Sequence, residues 1–313
     1  MESDFIAWLR DRLPSHARLR LGPGDDAGIL RLGDRAECVV TTDLLTDQVD
    51  FDLATADPRR VGRKALAVNL SDLAAMAAQP VGAVIALAFP RNGGWTLAKS
   101  LYEGLLPLAE EFDLPIAGGD TNTWDGPLVI SVTAIGQTTS RGPLCRGGAH
   151  PGDAIVVTGE FGGSILGRHF DFTPRVREAL LLHEKYELHA GMDVSDGLSL
   201  DLGRLCDESR CGALLDLASI PISAAARQLA GKHRAAEVGT GQTASDHALA
   251  DGEDFELILA VPPDEAQRMI VERPTEVSLT IIGQFVAEPG LWTTTSAGRQ
   301  PLPRRGYQHR MTE

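Results

Sequence analysis

Six short acidic motifs, spread over most of a 313-residue chain, constrain this sequence more than any other feature. They are Gly24-Asp25-Asp26, Thr41-Thr42-Asp43, Asn69-Leu70-Ser71-Asp72, Gly118-Gly119-Asp120, Asp193-Val194-Ser195-Asp196-Gly197 and Gly252-Glu253-Asp254. Each sets a carboxylate beside Gly, Ser or Thr, the composition of a turn or strand end that presents oxygens. Two unit charges about 4 Å apart repel by roughly 4 kcal/mol at an effective dielectric near 20. A fold that gathers these motifs must place something cationic among them. Ligands that are all oxygen suit Mg2+, which keeps waters and binds substrate phosphates as well.

The length allows two domains, each with its own core. A net charge of −14, with no basic run, argues against nucleic acid as a partner. Cys38, Cys145, Cys206 and Cys211 form no CxxC pair. Neither zinc nor a disulfide framework is expected, and a reducing, cytoplasmic setting follows. The acidic start, Met1-Glu2-Ser3-Asp4, does not read as a signal peptide, and no apolar run approaches the ~20 residues that span a bilayer.

Hydrophobic periodicity predicts an α/β (α+β) chain in two successive halves. Phe5, Ile6, Leu9 and Leu13 mark a first helix closed by Pro14, and residues 37–45 read as a strand. A long helix starts at Asp57-Pro58, a cap followed by proline, and runs to Pro80. Residues 81–89 read as a strand, and 96–112 as a helix kinked at Pro107. Strands follow at 114–117 and 127–137. The Gly- and Pro-rich stretch 138–152 is the linker candidate, with 141–149 as its centre, dividing 1–140 from 150–313. Beyond it come strands at 153–158, 212–217, 254–261 and 277–285, with helices near 162–169 and at 174–184, 197–209, 223–232 and 263–272.

Each motif also has a plain structural reading. Asp25 and Asp26 suit a Gly/Pro turn, and Ser195 and Asp196 sit where helix caps sit. Thr41-Thr42-Asp43 ends an apolar strand, where scaffolds hand polar groups to a site. Asp72 interrupts a nearly all-apolar helix, a costly place for an unpaired carboxylate, and shares a face with Asn69. Gly118 and Gly119 would let backbone N–H groups approach a phosphate whose metal Asp120 holds. Gly159-Glu160-Phe161-Gly162-Gly163-Ser164 resembles a phosphate loop but lacks the lysine, and Gly-Lys-Ser/Thr occurs nowhere. There is no Gly-x-Ser-x-Gly elbow and no HExxH. Phosphoryl transfer fits such a set, because it needs positioning and charge neutralisation more than a nucleophile.

Taken together, GPGDDAGIL (22–30), TTDLL (41–45), GRKALAVNLSDLAAMAAQP (62–80), AGGDT (117–121), CRGGAHPGDAIVVTG (145–159), MDVSDGLSLDLGRL (192–205) and GEDFELIL (252–259) resemble the thiamine-monophosphate kinase family. That family lies within the superfamily of aminoimidazole-ribonucleotide synthetase and selenophosphate synthetase. The resemblance covers about residues 22 to 260. It implies ATP-dependent phosphorylation of thiamine monophosphate to thiamine diphosphate by direct transfer, in a cleft between the halves. It assigns Mg2+ to Asp25, Thr41, Thr42, Asp43, Asp72, Asp120, Asp193 and Asp196, with Asp43, Asp72 and Asp120 assisting the transfer. It assigns ATP to Tyr102, Gly119, Asp120, Arg146 and Ser195, and the thiamine end to Asp50, Glu253 and Tyr307. It further implies a homodimer through a shared β-barrel of the N-terminal halves and an α/β sandwich in the C-terminal half.

The chain departs from the family pattern in three places. Asp50 stands in Val49-Asp50-Phe51 where the family has histidine, residues 159–193 are shorter, and Asp251 precedes Gly252 where glycine is usual. Other members of the superfamily, or a non-catalytic phosphate-binding member, are the alternatives. The selenophosphate enzyme has an early Cys, but none precedes Cys38, and the hydrogenase-maturation member ends in Cys rather than Met311-Thr312-Glu313. No metal aspartate is lost, as a non-catalytic member would require.

Overall fold

A computed structural model describes residues 10, 16–32, 37–92, 94–236, 242–296 and 298–309. The helix expected around Phe5 to Leu13 lies outside them. The first sheet draws its strands from residues 19–138: β1 (Leu19–Leu21), β2 (Gly28–Arg31), β3 (Glu37–Thr46), β4 (Ala78–Pro90), β5 (Ile116–Trp124) and β6 (Val129–Thr138). Their order is β1-β2-β3-β6-β4-β5, an open sheet. Only β4 and β5 pair in parallel, and helix α2 (Gly94–Glu111) makes the crossover between them. Helix α1 (Pro58–Ala75) connects β3 to β4.

The second sheet uses β7 (Ala154–Thr158), β8 (Ala190–Asp193), β9 (Gly212–Leu215), β10 (Leu257–Val261), β11 (Leu279–Val286), β12 (Gly290–Thr295) and β13 (Gly298–Pro301), in the order β13-β12-β9-β11-β7-β10-β8. Helices α3 (Arg168–Asp171), α4 (Val176–Lys185), α5 (Leu198–Ser209), α6 (Ala224–Ala236), α7 (Ala244–Ala250) and α8 (Pro263–Glu272) complete this half. No described helix is long and apolar enough to cross a membrane.

Burial explains the sequence patterns. In β4, Ala83, Ile85, Leu87 and Phe89 are buried while Val84 and Ala86 face out, the period-two signature of a sheet covered on one face. All five residues of β7 and of β10 are buried. Ile155 and Val157 join one apolar cluster, and Ala154 and Val156 the other. A sheet covered on both faces needs continuous apolar strands, which is why 154–158 reads AIVVT.

The larger cluster is not confined to one half, contrary to the expectation of separate cores. It runs from Ile85 and Val132 of the first sheet, through Leu66, Leu70 and Leu73 of α1, to Val156, Leu257 and Leu259 of the second. Helix α1 is the shared element. Asp57 caps it by accepting the Arg59 N–H at 2.9 Å, and Pro58 opens it. Each of its fully buried leucines contributes about 1.5–3 kcal/mol.

Several boundaries differ from the sequence reading. α1 stops at Ala75 because Ala77 turns with φ 47°, and Pro80 lies inside β4 beside a register irregularity rather than ending the helix. By contrast, α2 contains Pro107 and ends at Glu111, within a residue of the expected end. Residues 162–169 hold only a 3-10 turn (Ser164–Leu166) and the start of the short α3, because Gly162, Gly163 and Gly167 have positive φ. Strands β1, β2, β8, β12 and β13 and helix α7 were not predicted, being short or embedded in Gly-rich motifs.

α1 and α2 meet through glycines. A Cβ added at Gly62 would stand 2.0 Å from the Leu101 carbonyl oxygen, and one at Gly104 would stand 1.8 Å from that of Arg59. Gly104→Ala must therefore push the helices apart, and it is expected to cost about 1–3 kcal/mol in urea denaturation. Gly231→Ala, on α6 with open space around it, should instead stabilise by about 0.5–1 kcal/mol. Equal effects of the two would remove the close crossing as an explanation.

Candidate active site

Motifs from both halves converge where α1 meets β8. Asp72 lies on α1 and accepts a hydrogen bond from the Thr41 hydroxyl of β3. From the preceding residue, Ser71 Oγ donates to Asp193 Oδ2, at the end of β8, at 2.5 Å. Carboxylate oxygens of Asp26, Asp72 and Asp193 lie within 4.8 Å of one another. Arg146 binds this group from the segment joining the sheets: its guanidinium forks onto both oxygens of Asp26, and its N–H reaches Asp25 at 3.0 Å. Arg204 of α5 bridges Asp196 and Asp201.

Seven carboxylates, those of Asp25, Asp26, Asp43, Asp72, Asp193, Asp196 and Asp201, thus face two guanidinium groups. Burial, and then the charges of Asp43, Asp193 and Asp26, hold the Asp72 carboxyl well above the usual range. Asp193 is raised in the same way by burial and by Asp26. Burial and the neighbouring Asp26 push Asp25 to about 6. Burial, Asp50 and Asp196 push Asp43 to about 6. Burial and Asp196 push Asp201 to about 7. Asp43 Oδ2 is buried and has no hydrogen-bond partner among the described residues. An orphaned anionic oxygen beside crowded carboxylates fits a cation bound by hard oxygen ligands.

Beside the cluster lies a cavity of about 370 Å³ lined by Asp43, Asp50, Lys64, Ser195, Asp196, Glu253 and Tyr307, among others. A second, of about 670 Å³, shares Val49, Asp50 and Glu253 and adds Arg60, His169 and Phe170. Three sequence candidates for the thiamine end, Asp50, Glu253 and Tyr307, therefore share one cavity with Asp43, Ser195 and Asp196. Lys64, 1% exposed, pairs with Glu253 and donates to the Asp50 carbonyl at 2.8 Å. Asp50 has a structural task as well: its Oδ2 accepts the Thr46 N–H at 2.7 Å and closes the turn after β3. Tyr307 is tied down by its own N–H to the Asp196 carbonyl at 2.9 Å.

Other candidates lie apart from this cluster within the chain. Thr41 and Asp43 share one face of β3, so Thr42 faces the other way, where its hydroxyl donates to the Val132 carbonyl at 3.1 Å. Gly118-Gly119-Asp120 is not a turn but the exposed interior of edge strand β5. Pairing aligns Asp43, Val132, Ile85 and Gly119 in one row, which puts Gly119 about 14 Å from Asp43 at about 4.8 Å per strand. Tyr102, on α2, packs against the larger core cluster. Thr41 to Asp43 also sit inside β3 rather than at its end, because the strand continues to Thr46.

Two expected caps and one expected phosphate loop have other roles. Gly197, not Ser195 or Asp196, is the cap of α5, and Asp201 reaches back to accept the N–H groups of Asp196 and Gly197 at 2.8 and 3.1 Å. The Gly159–Ser164 loop has spent its amides: Gly162 N–H binds both oxygens of Asp254 at 2.9 Å, and Gly163 N–H binds Asp251 at 2.8 Å. Asp251 and Asp254 are thus anchors of that loop. The sequence reading also missed Asp26 as a cluster member, Asp201, Arg204 and Lys64. The spacing of Asp201 and Arg204 on one helical face was the available signal for that pair.

The chain matches the family model "AIR synthase related protein, N-terminal domain" over residues 24–138 and "AIR synthase related protein, C-terminal domain" over residues 150–293. It is 42% identical over 322 residues to a thiamine-monophosphate kinase of Rhodopirellula baltica, covering 100% of this chain and 98% of that one. It is 33% identical over 333 residues to that of Escherichia coli strain K12, covering 98% of each. A solved structure described as AaThiL complexed with AMPPCP and TMP superposes with a TM-score of 0.84 at 25% identity, over 99% of this chain and 97% of that one. The hydrogenase maturation protein HypE in complex with ATP superposes at 0.71 with 17% identity, over 88% of this chain and 87% of that one, and shows shared fold alone.

The raised carboxyls set a pH dependence. Asp25, Asp43 and Asp201 hold protons in the native state up to about 6 or 7, against 3.8 in the unfolded chain. Between those values the native state binds more protons, so the cluster's contribution to ion-free stability falls as pH rises through that window and then levels off. A divalent cation competes with the same protons. The rise in thermal midpoint on adding Mg2+ should therefore be larger at about pH 8 than at about pH 5. Equal shifts at both pH values in differential scanning fluorimetry would show that the ion does not bind these groups.

Proposed function

The chain belongs to the thiamine-monophosphate kinase family, and we propose that it transfers the γ-phosphoryl group of ATP directly to thiamine monophosphate, giving thiamine diphosphate and ADP. The observation that carries this reading is the convergence of Asp26, Asp43, Asp72, Asp193 and Asp196, from both halves, beside a cavity bearing Glu253 and Tyr307. The AIR-synthase-related domains and the relative bound to AMPPCP and TMP support it.

In this proposal Asp25, Asp26, Asp43, Asp72, Asp193 and Asp196 hold Mg2+, which when bound neutralises phosphate charge during transfer. Thr41 orients Asp72, and Ser71 orients Asp193. Arg146 is already presented as a planar fork of the kind that recognises phosphate, and exchanges Asp26 for a nucleotide oxygen. Ser195 faces the same cavity as Asp196. Glu253 and Asp50 give that cavity an anionic wall for the thiazolium cation, and Tyr307 supplies an exposed ring to stack on it. No nucleophilic side chain is required, since donor and acceptor phosphates are both held in line.

The homodimer is part of the same reading. The face of the first sheet turned away from α1 exposes Leu44 and Val84, and eight of the nine residues of edge strand β5 are exposed. Such a face and edge favour pairing with a second copy. A shared barrel would also carry Tyr102, Gly119, Asp120 and Thr42 toward the partner's nucleotide. That accounts for the distance of Gly119 and its neighbour Asp120 from Asp43 within one chain.

An ADP-release assay tests the activity. Turnover should require Mg2+ and thiamine monophosphate, and unphosphorylated thiamine should not replace it; no turnover dependent on thiamine monophosphate would sink the proposal. Asp72→Asn should lower kcat by at least about 100-fold with the fold intact by circular dichroism. A near-normal kcat would remove Asp72 from the metal set. For the dimer, light scattering should find two copies in the parent protein and one in Val84→Arg. A monomeric parent protein would refute the shared barrel.

A further inference from the structure

We propose that His150, Asp153 and His189 form a second metal site, separate from the carboxylate cluster, for one divalent transition ion of the zinc class. Three ligand atoms from two distant stretches of chain meet there. His189 Nδ1 is 2.8 Å from Asp153 Oδ2 and 3.2 Å from His150 Nδ1, and His150 Nδ1 is 3.8 Å from Asp153 Oδ2. A tetrahedral ion with bonds of about 2.0–2.1 Å separates its ligand atoms by about 3.3 Å. The three distances straddle that value.

The partners of the His189 ring suit a metal ligand. The other nitrogen of His189, Nε2, lies 3.2 Å from Glu187 Oε1. Both ring nitrogens of His189 thus face carboxylates that only accept, Nε2 toward Glu187 and Nδ1 toward Asp153, and a bound ion would take the place of the Nδ1 proton while Glu187 keeps the Nε2 hydrogen. Asp153 Oδ2 already accepts the His150 N–H at 2.7 Å. One ligand atom from each of His150, Asp153 and His189 thus lies within 4.8 Å of the other two. A carboxylate on the far nitrogen of a metal-bound histidine is also the usual orienting partner of such a ligand.

The scaffold holds the ligands still. Asp153 has a side chain only 6% exposed, and its backbone carbonyl accepts the Phe285 N–H at 2.8 Å. His189 donates its N–H to the Ala260 carbonyl at 2.9 Å, and the two rings meet edge to face with centroids 4.7 Å apart. His150, with a side chain 69% exposed, leaves the fourth position open to water. Two imidazoles with one carboxylate favour zinc, cobalt or nickel over Mg2+, so the hard-oxygen cluster does not compete for the same ion.

The ion's position suggests its task. His189 immediately precedes β8, whose other end delivers Asp193, and Asp153 immediately precedes β7. The segment between Cys145 and Asp153 carries Arg146. A bound ion staples that segment to β8 and stabilises the loaded form.

The test uses tag-free, full-length protein in excess Mg2+, titrated with Co2+ and Zn2+. A tetrahedral cobalt absorption band should saturate at one Co2+ per chain, and Zn2+ should raise the thermal midpoint. His150→Ala should weaken Co2+ binding at least tenfold and abolish the zinc shift. Its metal-free midpoint should match the parent protein, because the His150 ring is exposed. Absence of the band in the parent protein, or a band and zinc shift that persist in His150→Ala, would overturn the proposal.

Discussion

Mutual repulsion among the carboxylates is the constraint around which the rest of this structure is arranged. Seven of them, drawn from β3, α1, β8, the turn after it, α5 and the turn before β2, are brought to one place and largely removed from water. Asp193 and Asp201 are 1% and 0% exposed. Burial would disperse such a group unless something rigid held it, and α1 does so. Its apolar residues are buried in a cluster continuous with both sheets, so Asp72 and Ser71 travel on an element that cannot withdraw. The hydrophobic free energy of α1 offsets the cost of placing charge at its surface.

The compensation is incomplete within the protein itself. Two guanidiniums answer seven carboxylates, protons remain on several of them toward neutral pH, and Asp43 Oδ2 finds no partner among the described residues. Structural ion pairs elsewhere in the chain are finished, by contrast. Glu256, fully buried, accepts from Arg168, Arg175 and Thr158 together. An unfinished cluster beside finished ones is what a site awaiting charged ligands requires. The same region stores backbone strain: Glu253 and Phe255 have φ of 54° and 50°, unusual for non-glycine residues. Anchors on both sides impose it, through Asp254 under the glycine loop and Phe255 stacked on Phe172 at 4.0 Å.

Much of this was legible in the chain because local chemistry and global role coincided. Asp57-Pro58 announces the start of α1, and Asp72 inside an apolar helix announces a paired or metal-bound carboxylate. The alternation of β4 and the continuous apolar run of β7 report which sheets are covered on one face and which on two. What was not legible depends on distance in sequence. Whether Gly118-Gly119-Asp120 belongs to a turn or a strand is decided by pairing with β4, which its own composition opposes. The glycine loop at 159–164 looked like a phosphate cradle until Asp251 and Asp254, some ninety residues later, were found on its amides. The meeting of His150 and His189 belongs to the same class, since thirty-nine residues separate them and neither carries a metal-motif spacing.

Asp50 shows how a single position can satisfy two demands. The family resemblance leads one to expect histidine there, and the carboxylate present instead adds to an already crowded anionic field, raising Asp43. Yet the side chain spends one oxygen on the Thr46 N–H, fixing the turn that leads from β3, and the backbone carbonyl spends itself on Lys64. Lys64 in turn binds Glu253 from the other half. The substitution is thus tied into a chain of contacts that joins β3, α1 and the 252–255 segment across the cavity. A histidine could not accept the Thr46 amide and remain charged, because an imidazolium has no acceptor atom. The carboxylate therefore serves at once to fix the turn after β3 and to form an anionic part of the cavity wall.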